Sequence, residues 1–372
     1  MFDYRRPFYR KILVVFNIFV LIAYLFVCLT PFVNTGENWL IALPGLAFPL
    51  LLLALLLFVI LWTLLRSKWV WVSVVVIFLG IQQILAVFSF HLPQQFNLAK
   101  GKNTLRIFHW NVESWDDYFS KIDYPGESYR PEMMDLIKQQ NPDVLCFEEY
   151  ADLKSSDDSG SNVSEIKKLG FPYYLSAPTD TSASRVTNGV AIFSKYPVIN
   201  SGIYSYGRHT QAEHLIFVDI NIGKDTFRIF TTHLQSVRFE RKDYRSLNNL
   251  KKARDPGFEN SKDIISKLRR GYQFRHIQAQ IVEQKIAESP YPAVITGDFN
   301  DVPNSNTYFT IRGKLQDAFL KKGYWIGRTF RFISPTLRID FILADKKFKV
   351  DQFQVMHVPY SDHFPIETDL TY

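Results

Sequence analysis

Ala293-Val294-Ile295-Thr296-Gly297-Asp298-Phe299-Asn300-Asp301 decides how this chain is read. Its first four residues form a short apolar run of the kind that makes a buried strand, and the polar residues arrive where such a strand would meet a loop. Asp298 and Asn300 are two positions apart, which on extended backbone puts both side chains on one side. The run Leu337 to Ala344 repeats the arrangement, with Asp340 set among Ile, Phe and Leu. A carboxylate buried without a partner costs free energy or takes up a proton. Asp340 therefore needs a partner, and Asp362-His363 in Ser361-Asp362-His363-Phe364-Pro365 supplies candidates. Carboxylates, an amide and an imidazole at strand ends suit a hard divalent cation beside a general acid or base. Mg²⁺ takes oxygen ligands, keeps several waters and binds through one or two carboxylates together with substrate phosphate. The chemistry this pattern points to is phosphate ester hydrolysis.

The upstream half extends the pattern. Thr104 to Asn111 reads as a strand ending in an amide, and Asp143 to Glu149 as a strand ending in acids. Between them Pro131 to Gln140 has helical spacing, with Pro131 at the tolerated first position. Phe227 to Leu234 is a strand carrying His233 at its end, and Gly189 to Lys195 is one more, closed by Tyr196-Pro197. His109 is expected on the face opposite Asn111, in a structural role, and Trp110 in the core. His209 and His214 have no motif around them and are expected at the surface or in packing. Asn188 fits a turn before Gly189 and a contact to substrate phosphate equally well.

In their order, His109-Trp110-Asn111, Cys146 to Glu149, Gly189 to Lys195, Thr231 to Leu234, Gly297 to Asp301 with Arg338 to Leu343, and Ser361 to Pro365 resemble the motifs of the endonuclease/exonuclease/phosphatase superfamily. The resemblance covers essentially everything from Thr104 onward. It implies a deoxyribonuclease I-like α/β fold, a four-layer sandwich, and metal-dependent, endonuclease-like hydrolysis of phosphodiester bonds with Mg²⁺, or alternatively Mn²⁺ or Ca²⁺. It also implies that Glu149 binds the metal, that Asp362 is a further acid on the metal side, and that Asn111 supports metal and scissile phosphate. Asp298 and Asn300 resemble the pair that handles the attacking water or leaving group and the phosphoryl oxygens. His233 resembles a phosphate-contacting residue, and His363 a catalytic imidazole oriented by Asp340. Either Asp298 or His363 can be the base. Glu148 stands where relatives often carry Gln, and His233, where exonuclease III-like repair enzymes tend to have Tyr, is similar to deoxyribonuclease I-like enzymes and sphingomyelinases. No metal or base position lacks its residue, which weighs against a catalytically retired module that only holds a phosphorylated ligand.

The first 92 residues read differently. Hydrophobic residues make up 47% of the chain, and the long apolar runs all come before Phe90. Ile12 to Val33, Leu40 to Leu65 and Trp69 to Phe90 contain no Asp, Glu, Lys or Arg, and each reaches the ~20 residues that cross a bilayer. The first is too long for a signal-peptide core. Three transmembrane helices, a linker over 93–103 and a catalytic domain over 104–372 are the expected organisation. Arg5, Arg6, Arg10 and Lys11 precede the first span, and Arg66 and Lys68 fill the turn between the second and third. The positive-inside rule then places the N-terminus in the cytoplasm and the catalytic domain outside it, unless Pro44 and Pro49 break the second span into a re-entrant hairpin. The bilayer is thus an expected partner, and no protein partner is inferable. The two cysteines, Cys28 in a span and Cys146 in a core-like strand, form no disulfide framework.

Between Val237 and His276 the excess of Lys and Arg over Asp and Glu equals the +7 net charge of the whole chain. Lys251, Lys252, Arg269 and Arg270 are candidate substrate contacts there, suited to nucleic acid or to anionic lipid headgroups. Tyr244, Tyr272 and Phe274 fit stacking on bases and packing on the domain equally.

Overall fold

The structure, a computed structural model, describes residues 8–116, 128–153, 161–179, 186–207, 212–237 and 258–372. Its strands are, in chain order, β1 Ser89–Phe90, β2 Thr104–Asn111, β3 Val144–Leu153, β4 Tyr173–Pro178, β5 Val186–Ser194, β6 Val198–Tyr204 and β7 Leu215–Ile222. They continue as β8 Asp225–His233, β9 Ala293–Asp298, β10 Gln316–Asp317, β11 Tyr324–Trp325, β12 Asp340–Ala344, β13 Lys349–Val355 and β14 Ile366–Thr371. Two six-stranded sheets result, in the orders β13-β14-β2-β3-β5-β4 and β10-β12-β9-β8-β7-β6. Each is antiparallel except for one parallel pair, β2 with β3 and β8 with β9.

Alternation along β2 shows how the layers arise. Leu105 and Ile107 meet Val144, Ile229, Val294 and Ile342 in the core between the sheets. Phe108 and Trp110, on the other face, meet Met133 and Ile137 of the helix Arg130–Gln140 and Ile166 of the helix Asn162–Lys168. The second sheet does the same: Phe230, Ile295 and Phe341 pack under Ala279 and Val282 of the helix Phe258–Ala287 and Tyr308 of Asn306–Arg312. Helix, sheet, sheet, helix is the four-layer sandwich the sequence suggested. Pro131 opens the helix Arg130–Gln140, and Asn141 closes it at a φ of 50°.

One buried acid in this frame makes stability depend on pH. Glu367 on β14 accepts from Gln354 Nε2 at 2.9 Å, while its other oxygen has no partner among the described residues. Burial pushes its carboxyl up to about 8, against the pull of the Gln354 hydrogen bond and Arg106. The unfolded value is about 4.3. Because the folded value is the higher, the stabilisation is complete below the unfolded value and is lost as pH rises through about 8. Glu367→Gln has no proton to lose. Its melting temperature should match that of the wild-type chain near pH 4 and exceed it by several degrees near pH 9, as calorimetry would read.

Ahead of the sandwich, two helices are long and apolar enough to cross a membrane, Phe8–Phe32 and Trp39–Leu64, with a third if a bent pair counts as one span. The run over 69–90 is bent: Trp69–Leu79 and Ile81–Val87 meet at 60°, and Ser89–Phe90 forms β1. Gly80 sits at the break, where a Cβ would collide with the Tyr24 hydroxyl that donates to Ile77 O. Inside the helical cluster, Asn17 Oδ1 accepts from Trp62 Nε1 at 3.0 Å and from Ser73 Oγ at 3.3 Å.

The helices are fastened to the sandwich. β1 pairs with β11, Ile326 packs into the helical cluster, and Arg338 Nη2 donates to Ala86 O at 2.9 Å. Asn304 and Asn306 donate to Gly45 O at 3.1 Å and Pro31 O at 2.9 Å. Residue Asn97 in the expected linker is tied down as well, through Gln352 and Arg106.

Candidate active site

Strand register stacks the inward side chains in tiers. Ile107 is level with Val144, and Ile229 with Val294. One step along, His109 is level with Cys146, and Thr231 with Thr296. A further step brings Asn111 level with Glu148 and His233 with Asp298, which pairs across to Asp340. The layer between the sheets therefore grades from apolar to polar, and the site forms at its polar end. The face expected for His109 is corrected by the same rule: it shares the face of Asn111, because residues two apart on a strand point the same way.

His363 Nδ1 lies 2.9 Å from Asp340 Oδ2, and its Nε2 lies 3.6 Å from Asp298 Oδ2. The imidazole is held on several sides. Trp110 Nε1 donates to the His363 backbone carbonyl at 2.9 Å, the His363 backbone N–H donates to Ser361 Oγ at 3.1 Å, and the Phe330 ring meets the imidazole edge-on at 5.0 Å. Burial works against a charge on this ring, but the Asp340, Asp298 and Asp362 carboxylates outweigh it and hold the imidazolium well above its ordinary range. Burial also lifts Asp298 to about 6, with Asp340 adding to it and both histidines opposing.

Asp298 Oδ2 is the common point of the site, 3.3 Å from Asn111 Nδ2 and 3.5 Å from His233 Nε2. Asn111 also donates to Glu149 Oε1 at 3.4 Å. Asn300 joins Asp298 through a turn and not by strand alternation: its φ is 51°, its N–H donates to Asp298 Oδ1 at 2.8 Å, and its amide donates to Leu234 O. The expected end of β3 at the acids is corrected too. The strand runs on to Leu153, and a bulge between Phe147 and Tyr150 with Glu149 at a φ of 49° turns that carboxylate out of the row.

Two acids at the site escape a motif-based reading. Glu213 Oε2 stands 3.3 Å from His233 Nδ1 and accepts from the Glu149 N–H at 3.2 Å. With burial opposing, Glu213, Asp298 and Glu149 raise the His233 imidazole to about 10. Glu113 accepts from the Asp362 N–H at 2.9 Å. Burial and the Asp362 and Glu149 charges lift Glu113 to about 8, while burial and Glu149 lift Asp362 to about 6 against His363. Glu113 had a signal, its place two residues past Asn111; Glu213 had none.

Asn188 on β5 is opposite Ala151 and donates to Ser114 Oγ at 3.0 Å. Arg269 and Arg270 are exposed on the helix Phe258–Ala287, whereas Tyr272 and Arg275 of the same helix are buried against each other. Lys251, Lys252, Tyr244 and His209 lie outside the described residues.

Two groups of side chains have the character of cation sites. Asp298, Asp340 and His363 offer ligand atoms within 4.8 Å of one another. Asp340, however, already accepts from two imidazoles, with His109 Nε2 at 3.3 Å from Oδ1. Glu149, Asp362, Glu113 and Asn111 offer oxygen, and the Glu149 and Asp362 side chains are 34% and 26% exposed, so an ion can reach them with its waters. Crowded carboxylates held above their usual range fit a hard dication, whose charge relieves the crowding.

Residues 96–363 match the model described as Endonuclease/Exonuclease/phosphatase family, and residues 10–87 match one described as Domain of unknown function (DUF8431). No curated protein matches. Among solved structures, an endonuclease/exonuclease/phosphatase from Beutenbergia cavernae DSM 12333 is similar with a TM-score of 0.51 and 19% identity, over 73% of this chain and 72% of that one. A humanized D. rerio TDP2 is similar with a TM-score of 0.50 and 17% identity, over 73% of this chain and 100% of that one. At such identities the likeness is one of fold, and it agrees with the paired six-stranded sheets. With the family model running from Phe96, inside the expected linker, to His363, the chain belongs to the endonuclease/exonuclease/phosphatase family.

Proposed function

We propose that this chain is a membrane-anchored, divalent-metal-dependent phosphoesterase that hydrolyses phosphodiester bonds. Family membership supports phosphoester hydrolysis in general. The observation that carries the finer reading is the meeting of two unlike groups of side chains: an oxygen cluster from Glu113, Glu149, Asp362 and Asn111, and an acid flanked by two imidazoles in Asp298, His233 and His363. Glu149, Asn111 and Asp362, joined by Glu113, would hold Mg²⁺, with Mn²⁺ or Ca²⁺ as alternatives. The bound cation supplies charge neutralisation at the phosphoryl oxygens. Asp298, at about 6, is ionised at neutral pH yet basic enough to take a proton from water. His233 and His363 are cationic under the same conditions and present Nε2–H groups to phosphoryl oxygens, with Asn300 beside them. Asp340 fixes the His363 ring.

The full-length protein in detergent micelles tests this against DNA, RNA, a simple soluble phosphodiester, sphingomyelin and phosphoinositides across a Mg²⁺ titration. Metal-stimulated cleavage of at least one phosphodiester is the expected result. Metal-independent activity alone, or none on the whole panel, would overturn the reading.

A second reading, a lipid-headgroup phosphoesterase, is favoured by how the helices are fastened. Asn304, Asn306 and Arg338 grip carbonyls at the ends of the apolar helices, and Arg338 is two residues from Asp340. Two extended residues span at most about 7 Å, so this edge of the site is close to where the apolar helices end. In the same panel, this reading expects vesicle-borne substrates to be turned over in preference to nucleic acid. The Arg and Lys pattern around Arg5 to Lys11, Arg66 and Lys68 supports an extracytoplasmic catalytic domain.

A further inference from the structure

Between the tier of His109 and the tier of Asn111 runs a polar row that no solvent reaches. His109 on β2 and Glu148 on β3 are both fully buried. His109 Nε2 lies 3.3 Å from Asp340 Oδ1, and its Nδ1 lies 3.3 Å from Glu148 Oε2. That second approach is at the long end of hydrogen bonding, and neither atom has a hydrogen-bond partner among the described residues. Glu148 Oε1 accepts from Thr231 Oγ1 at 2.5 Å, and Thr231 Oγ1 is 2.8 Å from Thr296 Oγ1. One connected row of polar atoms therefore crosses from the first sheet to β8, β9 and β12 of the second, directly beneath the site.

The donor inventory fixes the sense of these bonds. Asp340 accepts from both imidazoles, so His109 carries its hydrogen on Nε2 and offers a lone pair at Nδ1. A hydrogen shared across the 3.3 Å between His109 Nδ1 and Glu148 Oε2 would then come from the carboxyl. A buried polar row costs free energy that an apolar one of similar shape does not. The apolar tier one step below, Ile107 with Ile229 and Val294, shows that this sandwich packs well without polar atoms.

What the row supplies is distance. Asn111 and Glu149 come from the first sheet, Asp298 and Asp340 from the second, and the His363 ring faces Asp298 from its seat on Asp340. We propose that His109 and Glu148 are a positioning pair for hydrolysis: bridging the sheets, they set the Asp340 carboxylate, and through it the His363 ring, at a fixed distance from Asp298. This rests on the reading of Asp340 and His363 as part of the catalytic machinery. His109 and Glu148 touch no substrate in it; they act through Asp340.

The test uses the full-length chain, saturated with Mg²⁺, on a soluble phosphodiester that it cleaves. Replacing both partners, His109→Leu with Glu148→Leu, should leave the melting temperature unchanged or higher, because an apolar pair packs there without a polar atom left alone. The same protein should lose about 10- to 100-fold in kcat at unchanged KM, the penalty of a misplaced catalytic group. A merely structural pair would move stability and leave kcat alone. On an Asp340→Ala background, the double replacement should cost no more than about twofold further, the scatter of independent effects. Wild-type kcat in the double-Leu protein, or losses that multiply in full on the Asp340→Ala background, would overturn the proposal. If that protein does not fold, Glu148→Ala and Glu148→Gln carry the test. The alanine should lose kcat and the glutamine restore it, since an amide donates to Nδ1 and accepts from Thr231 without a charge. Equal kcat in the two would overturn the pair. Wild-type kcat in Asp340→Ala alone would instead overturn the catalytic reading on which the pair rests.

Discussion

Hydrolysis by Glu149→Gln should fall by about 10³-fold at saturating Mg²⁺, the equivalent of several kcal/mol of lost charge stabilisation. The substitution removes a charge and keeps the shape. Glu149 is partly exposed on a bulge, and its backbone N–H stays bonded to Glu213, so the melting curve should not move. Isothermal titration of Mg²⁺ into both proteins separates the two ways of losing activity. Weakened binding with the fold intact assigns Glu149 to the cation, whereas wild-type binding with lost turnover would assign it to the phosphoryl group. Wild-type turnover across the titration would remove Glu149 from the site altogether.

His363→Ala should cost about 10²- to 10⁴-fold in kcat, the range for a group that transfers a proton or holds developing charge. The ring is seated on Asp340 and against Phe330, while Trp110 and Ser361 hold the backbone that carries it. His109 remains on Asp340 in that variant, so the carboxylate is not left without a partner and the fold should survive. The decisive measurement is kcat by single turnover. A loss under about tenfold would leave Asp298 and His233 to do the chemistry.

Asn111, Asp298, Asp340 and His363 were legible because each stands at or near the edge of an apolar run, and alternation on a strand says which way a side chain points. The same alternation, counted from Asn111, places His109 correctly, whereas attention to the immediate neighbour Trp110 does not. What was not legible depends on backbone departures from regular structure. Glu113 reaches Asp362 through three successive residues at positive φ, Glu113, Ser114 and Trp115, none of them glycine. Glu149 leaves its row through a bulge, which hydropathy does not register. Glu213 meets His233 from a loop ahead of β7, a contact only the assembled sheet creates. In the helical segment, apolar character continues unbroken through Gly80, so composition shows the length of the run and not its bend.

The place of β14 has a consequence for biosynthesis. It lies inside its sheet, between β13 and β2, and Arg106 on β2 finds its buried partner Asp369 there, 263 positions later in the chain. At roughly 5–20 residues per second, a ribosome takes about 10–50 s to cover that interval. Throughout it, β2 has an open edge and the Arg106 guanidinium lacks its Asp369 partner, while the apolar helices, already made, can hold the nascent chain at a membrane. The anchor thus precedes the closed sheet in time, and a ribosome that stalls before Ile366 would leave a tethered chain with a sticky strand, a ready substrate for quality-control proteolysis.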